Sequence, residues 1–147
     1  MSLFADSSAV VKLYAAEHGS DAMLGLTDPV VLSQLTQVEV PAALWKKQRM
    51  GELSVEDTGI LVSAFEADYF GTPREPRRFS AAVVSAEILE EAVRLTAVHG
   101  LRAYDAVQLA SAKAVRSVDP RCTVFAVFDK DLREAAAMEG FRLFPED

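Results

Sequence analysis

Four acidic residues stand where a folded chain could bring their side chains together. Asp6 follows a short apolar run near the N-terminus, and Glu39 follows a second one. Asp129 comes directly after a third run, and Asp105 stands at the start of a helical stretch. In an open sheet of parallel strands, ligands bind where the carboxyl ends of the strands meet. We therefore expect the four acids to gather at one edge of a sheet.

A cluster of four carboxylates predicts a metal site, because like charges in one place are costly unless protons or cations neutralise them. Oxygen ligands without histidine or thiolate favour Mg²⁺ or Mn²⁺ over zinc or copper. The chain has a single cysteine, Cys122, so a disulfide is excluded and core burial is expected. Its two histidines, His18 and His99, both precede glycines at predicted helix ends, where capping is expected.

Helix capping is the alternative explanation for each of the four acids. Asp6 precedes a helical stretch, residues 36–39 form a Thr-x-x-Glu capping box, residues 105–108 fit the same box loosely, and Asp129 precedes the last long helix. A cap contributes roughly 1 kcal/mol of stability without any catalytic function. Position alone leaves both interpretations open.

The spacing of apolar residues predicts strands that alternate with helices. Strands are predicted over residues 2–6, 29–33, 79–84, 123–128 and 141–144. Helices are predicted over residues 7–17, 35–50, 54–70, 85–98, 105–117 and 129–139. This alternation predicts an α/β fold of three layers, α/β/α, in which helices cover a mostly parallel sheet of about five strands.

Composition and charge restrict the domain organisation and the partners. With 147 residues, half of them hydrophobic, the chain can bury one core, so a single domain over residues 1–147 is expected. The formal net charge of −7 means that a polyanion must meet a local basic patch. No apolar run approaches the ~20 residues of a bilayer span, and no secretory leader is recognisable, so a cytoplasmic location is expected.

Four segments of the chain resemble the successive signatures of the PIN-domain family, specifically the VapC-type toxins of bacterial toxin–antitoxin pairs. They are residues 6–14 (DSSAVVKLY), 33–39 (SQLTQVE), 101–112 (LRAYDAVQLASA) and 127–132 (VFDKDL). The resemblance implies that Asp6, Glu39, Asp105 and Asp129 are the catalytic, metal-binding acids and that Ser8 supports Asp6. Many relatives have Thr or Ser where this chain has Val127, and Asp131 is either an additional carboxylate or a solvated surface acid.

The resemblance also implies an activity and partners. Family members are endoribonucleases that use Mg²⁺ or Mn²⁺ and an attacking water to hydrolyse RNA, leaving a 5′-phosphate. A PIN-like fold, a homodimer and a cognate antitoxin are implied as well. Because the chain is acidic, we expect the antitoxin tail to carry Arg or Lys into the carboxylate pocket.

Two basic side chains are candidates for contacts with the substrate. Lys46 lies seven residues after Glu39, on nearly the same helix face and about 10 Å further along at roughly 1.5 Å per residue, so it could reach a neighbouring phosphate. The alternative is a solvated lysine near a helix C-terminus. Arg102, beside the third segment, could hold substrate or a partner's acid, or could simply cover the surface.

Two other functions are alternatives to a nuclease. Residues 123–131 imitate the strand and Asp-x-Asp of haloacid-dehalogenase-like phosphatases, but that fold needs most of its core downstream of this motif. A PIN-like module that binds a partner and cleaves poorly is the second alternative. The presence of all four acids argues against it.

Overall fold

The computed structural model describes residues 2–147, in which five strands and seven helices follow one another along the chain. In chain order they are β1 (Leu3–Ala5), α1 (Ser7–Val11), α2 (Ser20–Leu24), β2 (Val30–Ser33), α3 (Thr36–Arg49), α4 (Val55–Phe70), β3 (Phe79–Ala82), α5 (Ala86–His99), α6 (Ala103–Val118), β4 (Val124–Ala126), α7 (Lys130–Met138) and β5 (Arg142–Phe144).

The five strands form one sheet in the order β3-β2-β1-β4-β5, and every neighbouring pair is parallel. The predicted α/β class with a parallel sheet is therefore confirmed. From β1 the chain adds β2 and β3 on one side, then returns to add β4 and β5 on the other. The order reverses between β1 and β4, and such a reversal opens a crevice at the carboxyl ends of the two strands.

The central strand β1 is buried on both faces of the sheet because helices cover each of them. Successive side chains of a strand point to opposite faces. Accordingly, Phe4 belongs to the core formed with α5, α6 and α7, whereas Leu3 and Ala5 belong to the core formed with α1, α3 and α4. Phe4 meets Phe125 of β4 edge to face, with ring centroids 5.2 Å apart. One core lies on each face of the sheet, between the sheet and its covering helices, which gives the three layers α/β/α.

Several helix ends lie where the sequence predicts them. The hydroxyls of Ser54 and Ser85 accept hydrogen bonds from backbone N–H groups in the first turns of α4 and α5. Gly100 ends α5 in the left-handed conformation, and His99 is the last residue of that helix. Cys122 is buried, as expected.

The region between α1 and β2 differs from the prediction. Helix α1 stops at Val11 rather than continuing to residue 17, because Lys12, Leu13 and Tyr14 bond to carbonyls three residues back and form turns. The short helix α2 was not predicted, because a glycine is typical of a break between elements. Here Gly19 directly precedes the helix, at φ +90°. His18 therefore precedes a helix instead of capping the end of one.

Helix α6 begins two residues earlier than predicted, so Asp105 lies within its first turn and does not open it. Strand β4 is shorter than the predicted run of residues 123–128. Among residues 2–147, none of the helices combines the length and the apolar character that a bilayer crossing requires.

Candidate active site

Asp6 lies directly after β1, at the crevice where the strand order reverses. Its backbone N–H donates to the carbonyl of Ala126 at the end of β4, at 3.1 Å. Its carboxylate accepts hydrogen bonds from the N–H of Ala9 at 3.0 Å and from the Ser8 hydroxyl, 3.0 and 2.9 Å from its two oxygens. Asp6 is therefore the N-cap of α1, and the same carboxylate lies within the electrostatic influence of two other acids.

The environment of Asp6 disfavours its negative charge. Burial raises the pKa of its carboxyl from the ordinary 3.8 to about 7, and the charges of Asp105 and Glu39 act in the same direction. The hydrogen bonds from Ala9 and Ser8 lower the pKa only in part. Near neutral pH this carboxyl holds a proton for part of the time. A bound cation would supply the missing positive charge.

Glu39, in the first turn of α3, does not complete the predicted capping box. The N-cap of α3 is Leu35, which makes no side-chain cap bond. The Glu39 carboxylate instead accepts hydrogen bonds from the Ser7 hydroxyl and from Nε2 of Gln108, both at 2.8 Å. Long-range partners therefore determine where this carboxylate lies.

Arg102 joins the remaining two acids of the set. Its Nη2 lies 3.2 Å from Oδ2 of Asp105 and 3.8 Å from Oδ1 of Asp129. Burial raises the pKa of the Asp105 carboxyl, Arg102 opposes that effect, and the charges of Asp129 and Asp131 add to it. Asp129 is also the N-cap of α7, since it accepts from the N–H of Leu132 at 3.0 Å.

The side-chain conformations of the four acids do not form a closed cage. Among residues 2–147, no group of three His, Cys, Asp or Glu side chains is arranged to hold an ion. Arg102 pairs with two of the acids, Asp105 and Asp129, in this arrangement. The Arg102 side chain is 82% exposed and is therefore free to rotate away.

The donor set itself fits a divalent cation. All four side chains offer carboxylate oxygens, which are the ligands that Mg²⁺ and Mn²⁺ prefer. Asp6, buried among acids, gains the most from a cation, because its charged form is the most disfavoured by burial. The residues present therefore fit Mg²⁺ or Mn²⁺.

The supporting residues named from the sequence lie at different distances from this cluster. Ser8 bonds to Asp6, and Asp131 is an exposed residue in the first turn of α7 that acts electrostatically on Asp105. Lys46 is exposed and, with Ser8, lines a cavity of about 250 Å³. The predicted contact between Lys46 and a phosphate stays a prediction.

Three polar residues were not assigned to the site from the sequence, although Thr36 and Gln108 stood in the two proposed capping boxes. Ser7, Thr36 and Gln108 are all buried, and their side chains bond to one another beneath the Glu39 carboxylate. They lie far apart in the chain, so local motifs could not group them. A usable signal was the presence of Gln108 in an otherwise apolar or small-residue stretch, 106–112. Buried polar side chains need hydrogen-bond partners, so a glutamine in such a stretch predicts a polar partner elsewhere in the fold.

A second cavity, of about 520 Å³, is lined by both sequence neighbours of Asp129. Its lining includes Phe128, Lys130 and His18. Lys12 stands over the Phe128 ring, 4.5 Å from its centroid. Val127 is fully buried in the core beneath α7 and offers no polar group to the site.

Comparison with known proteins gives a family match over most of the chain. The profile of the PIN domain matches residues 3–138. Two curated proteins of Mycobacterium tuberculosis, Ribonuclease VapC45 and Ribonuclease VapC49, are each 34% identical over 146 residues. Each match covers 97% of this chain and 94% of the relative.

Solved structures share the fold. A chain of a toxin–antitoxin complex from Klebsiella pneumoniae aligns with a TM-score of 0.54 at 18% identity, covering 88% of both chains. PAE2754 from Pyrobaculum aerophilum aligns with a TM-score of 0.55 at 23% identity, covering 92% of this chain and 87% of that one. At these identities the likeness concerns the fold.

Proposed function

The chain belongs to the PIN-domain family, and on that premise we propose that it is a metal-dependent endoribonuclease, the toxin of a toxin–antitoxin pair. The observation that supports this most strongly is the convergence of acids from four parts of the chain at the crevice beside β1 and β4. The relatives in Mycobacterium tuberculosis, which match nearly the full length of this chain, are named ribonucleases.

Asp6, Glu39, Asp105 and Asp129 would hold the divalent ion, Mg²⁺ or Mn²⁺. When bound, the ion neutralises charge on the scissile phosphate and lowers the pKa of water. The protein's own part is to orient the acids. The Ser8 hydroxyl, which donates to the Asp6 carboxylate, does so for Asp6, and the backbone N–H of Leu132 does so for Asp129.

Arg102 and Lys46 are the proposed contacts for RNA. Arg102 pairs with acids that a cation would neutralise, after which its guanidinium would be available to a phosphate oxygen. Lys46 lines the cavity that Ser8 also lines. These local cations offset a net charge of −7 that would otherwise repel RNA.

The proposed partners are an antitoxin and a second copy of this chain, acting in the cytoplasm. The VapC names of the relatives and the toxin–antitoxin source of one structural neighbour support an antitoxin. Its tail is expected to bring Arg or Lys to the acids, as Arg102 does within the chain. The homodimer rests on the family alone.

A partner-binding module with little nuclease activity is the second candidate. The contact of Arg102 with Asp105 and Asp129 favours it, because this pairing neutralises acids that a nuclease needs for its cation. The two functions differ in RNA cleavage: a nuclease cleaves RNA and needs the acids to do so, whereas the binding module cleaves little or none.

The test is cleavage of labelled single-stranded RNA by the purified protein with Mg²⁺ or Mn²⁺. Asp6→Asn and Asp105→Asn are each expected to reduce the rate by at least about 100-fold, because each loses a direct ligand, whereas even supporting residues are worth 10–100-fold. The matched control is Asp57→Asn, at an exposed position on α4, which should cleave normally.

Undiminished cleavage by folded Asp6→Asn would contradict the proposed site. A wild-type protein that binds a partner but cleaves no RNA at any concentration of either ion would favour the binding module. Circular dichroism of each variant excludes loss of the fold as the cause.

A further inference from the structure

We propose that Gln108 is a positioning residue that, together with Ser7 and Thr36, orients the Glu39 carboxylate toward a divalent cation. This proposal rests on the proposed function. It assigns a role to three buried side chains that the four acids alone do not explain.

The Gln108 amide lies at the meeting point of α1, α3 and α6. Its Nε2 lies 2.8 Å from Oε1 of Glu39, 2.9 Å from the Ser7 hydroxyl and 3.3 Å from the Thr36 hydroxyl. Ser7 donates to the same Glu39 oxygen at 2.8 Å, and the Ser7 and Thr36 hydroxyls are 3.0 Å apart. Gln108 and Thr36 are 1% and 0% exposed. This network is therefore shielded from water.

The network leaves one oxygen of Glu39 available. Within residues 2–147, the hydrogen bonds to this carboxylate all end on Oε1, and none ends on Oε2. Two donors on one oxygen fix the plane of the carboxylate and hold the other oxygen outward. A carboxylate held in this way is ready to bind a cation through its free oxygen, with little loss of side-chain entropy.

The network also ties Glu39 to Asp6. Ser7 directly follows Asp6 in the chain, so its hydroxyl sets the separation between two of the acids as well as bonding to one of them. The same contacts therefore bring together two carboxylates that repel each other, which has no benefit for stability without a cation.

Stability does not account for an amide at position 108. Among residues 2–147, Oε1 of Gln108 is buried without a hydrogen-bond partner, which is destabilising. Rotating the amide by half a turn would place this oxygen against Oε1 of Glu39, so two acceptors would repel. A methionine of similar size would avoid the unpaired oxygen. The amide is explained by what its N–H groups do for Glu39.

The experiment compares Gln108→Met with the wild type by Mn²⁺ binding and by thermal unfolding without metal. Gln108→Met is expected to raise the dissociation constant for Mn²⁺ by about 10-fold, the lower end for a residue that supports a ligand. Its midpoint of unfolding without metal should change little, because removing the unpaired oxygen offsets the loss of the hydrogen bonds that Nε2 donates. Excess Mn²⁺ should restore part of the RNA cleavage, because Glu39 is still present.

A second pair of variants separates the hydroxyl from the shape of the side chain. Thr36→Val should weaken Mn²⁺ binding, and Thr36→Ser should restore it. The matched control is Ser111→Ala, one turn along α6, which also removes a buried hydrogen bond, to Ser33 at 3.1 Å, but touches no acid. Its affinity for Mn²⁺ should equal that of the wild type.

Two results would overturn the inference. If Gln108→Met and Thr36→Val bind Mn²⁺ as tightly as the wild type, the network is only structural, while the proposed nuclease function stands. If the wild type binds no Mn²⁺, both the network's role and the proposed function fail.

Discussion

At the scale of single residues, Asp6 serves the local structure and the shared site at once. It caps α1 through the N–H of Ala9, and it is buried beside other acids that raise its pKa. The two interpretations that the sequence left open are therefore compatible for this residue. Asp129 behaves in the same way, because it caps α7 while it stands within 3.8 Å of the Arg102 guanidinium.

The pKa of Asp6 predicts how stability depends on pH without metal. Folding raises this pKa from 3.8 to about 7, so the folded state holds the proton more tightly than the unfolded state. Stability is thus fully present below about pH 4 and falls as the pH rises to about 7. This shift in the pKa of Asp6 changes the free energy of unfolding by at most on the order of 4 kcal/mol.

The Asp6→Asn variant has no carboxyl group to ionise at this buried position. It should therefore be more stable than the wild type at pH 8, and the difference in stability should shrink toward pH 4. Urea unfolding in the presence of a chelator measures it. The control, Asp57→Asn, removes a carboxylate from an exposed position. Equal stability of Asp6→Asn and the wild type at every pH would show that burial does not disfavour the Asp6 charge.

Local patterns identified Asp6 and Asp129 better than Glu39. Both aspartates follow strands and cap helices, and these are features that a few neighbouring residues encode. The Thr-x-x-Glu box at 36–39 has the right local sequence, yet Glu39 bonds to Ser7 and Gln108. Partners 32 and 69 residues away in sequence outcompeted the local motif, and a local motif does not encode such long-range pairings.

At the scale of elements, the order of the strands creates the site. The parallel pairing of β1 with both β2 and β4 places the carboxyl ends of three strands side by side. Apolar runs and cap residues such as Ser54 and Ser85 were enough to predict the alternation of strands and helices. They do not encode which strand lies at the centre, because all the buried strands have similar apolar sequences.

Gly19 supports the site through its contact with Phe128. A Cβ atom at this position would lie 2.5 Å from Cε1 of Phe128, and the backbone is at φ +90°. Gly19→Ala should therefore lower the free energy of unfolding by about 1–2 kcal/mol for the backbone conformation and by more for the clash. Phe128 precedes Asp129, so RNA cleavage should fall as well.

Gly51→Ala is the matched control, because Gly51 also has a positive φ, +80°, but a Cβ there would meet nothing within 4 Å. It should show only the backbone cost, with normal cleavage. Denaturant unfolding of the two variants measures the difference. An equal loss of stability in both would mean that Phe128 moves aside freely and does not brace the site.

At the scale of the whole molecule, an acidic chain concentrates acids at its crevice and places lysines in two cavities that are lined by neighbours of these acids. The cavity next to Ser8 has Lys46, and the cavity next to Phe128 has Lys12 and Lys130. A divalent cation in the crevice would remove the main repulsion toward RNA. Composition predicted the need for such a local positive region, but not its location, since that depends on how the helices pack.

The measurement that tests this account most directly is a crystal structure with Mn²⁺, located by its anomalous signal. We predict a peak between Asp6 and Asp105, with Arg102 moved away from Asp105 and with Oε2 of Glu39 facing the ion. The absence of a peak at saturating Mn²⁺, with Arg102 still paired to Asp105 and Asp129, would contradict the assignment of this site as a metal centre.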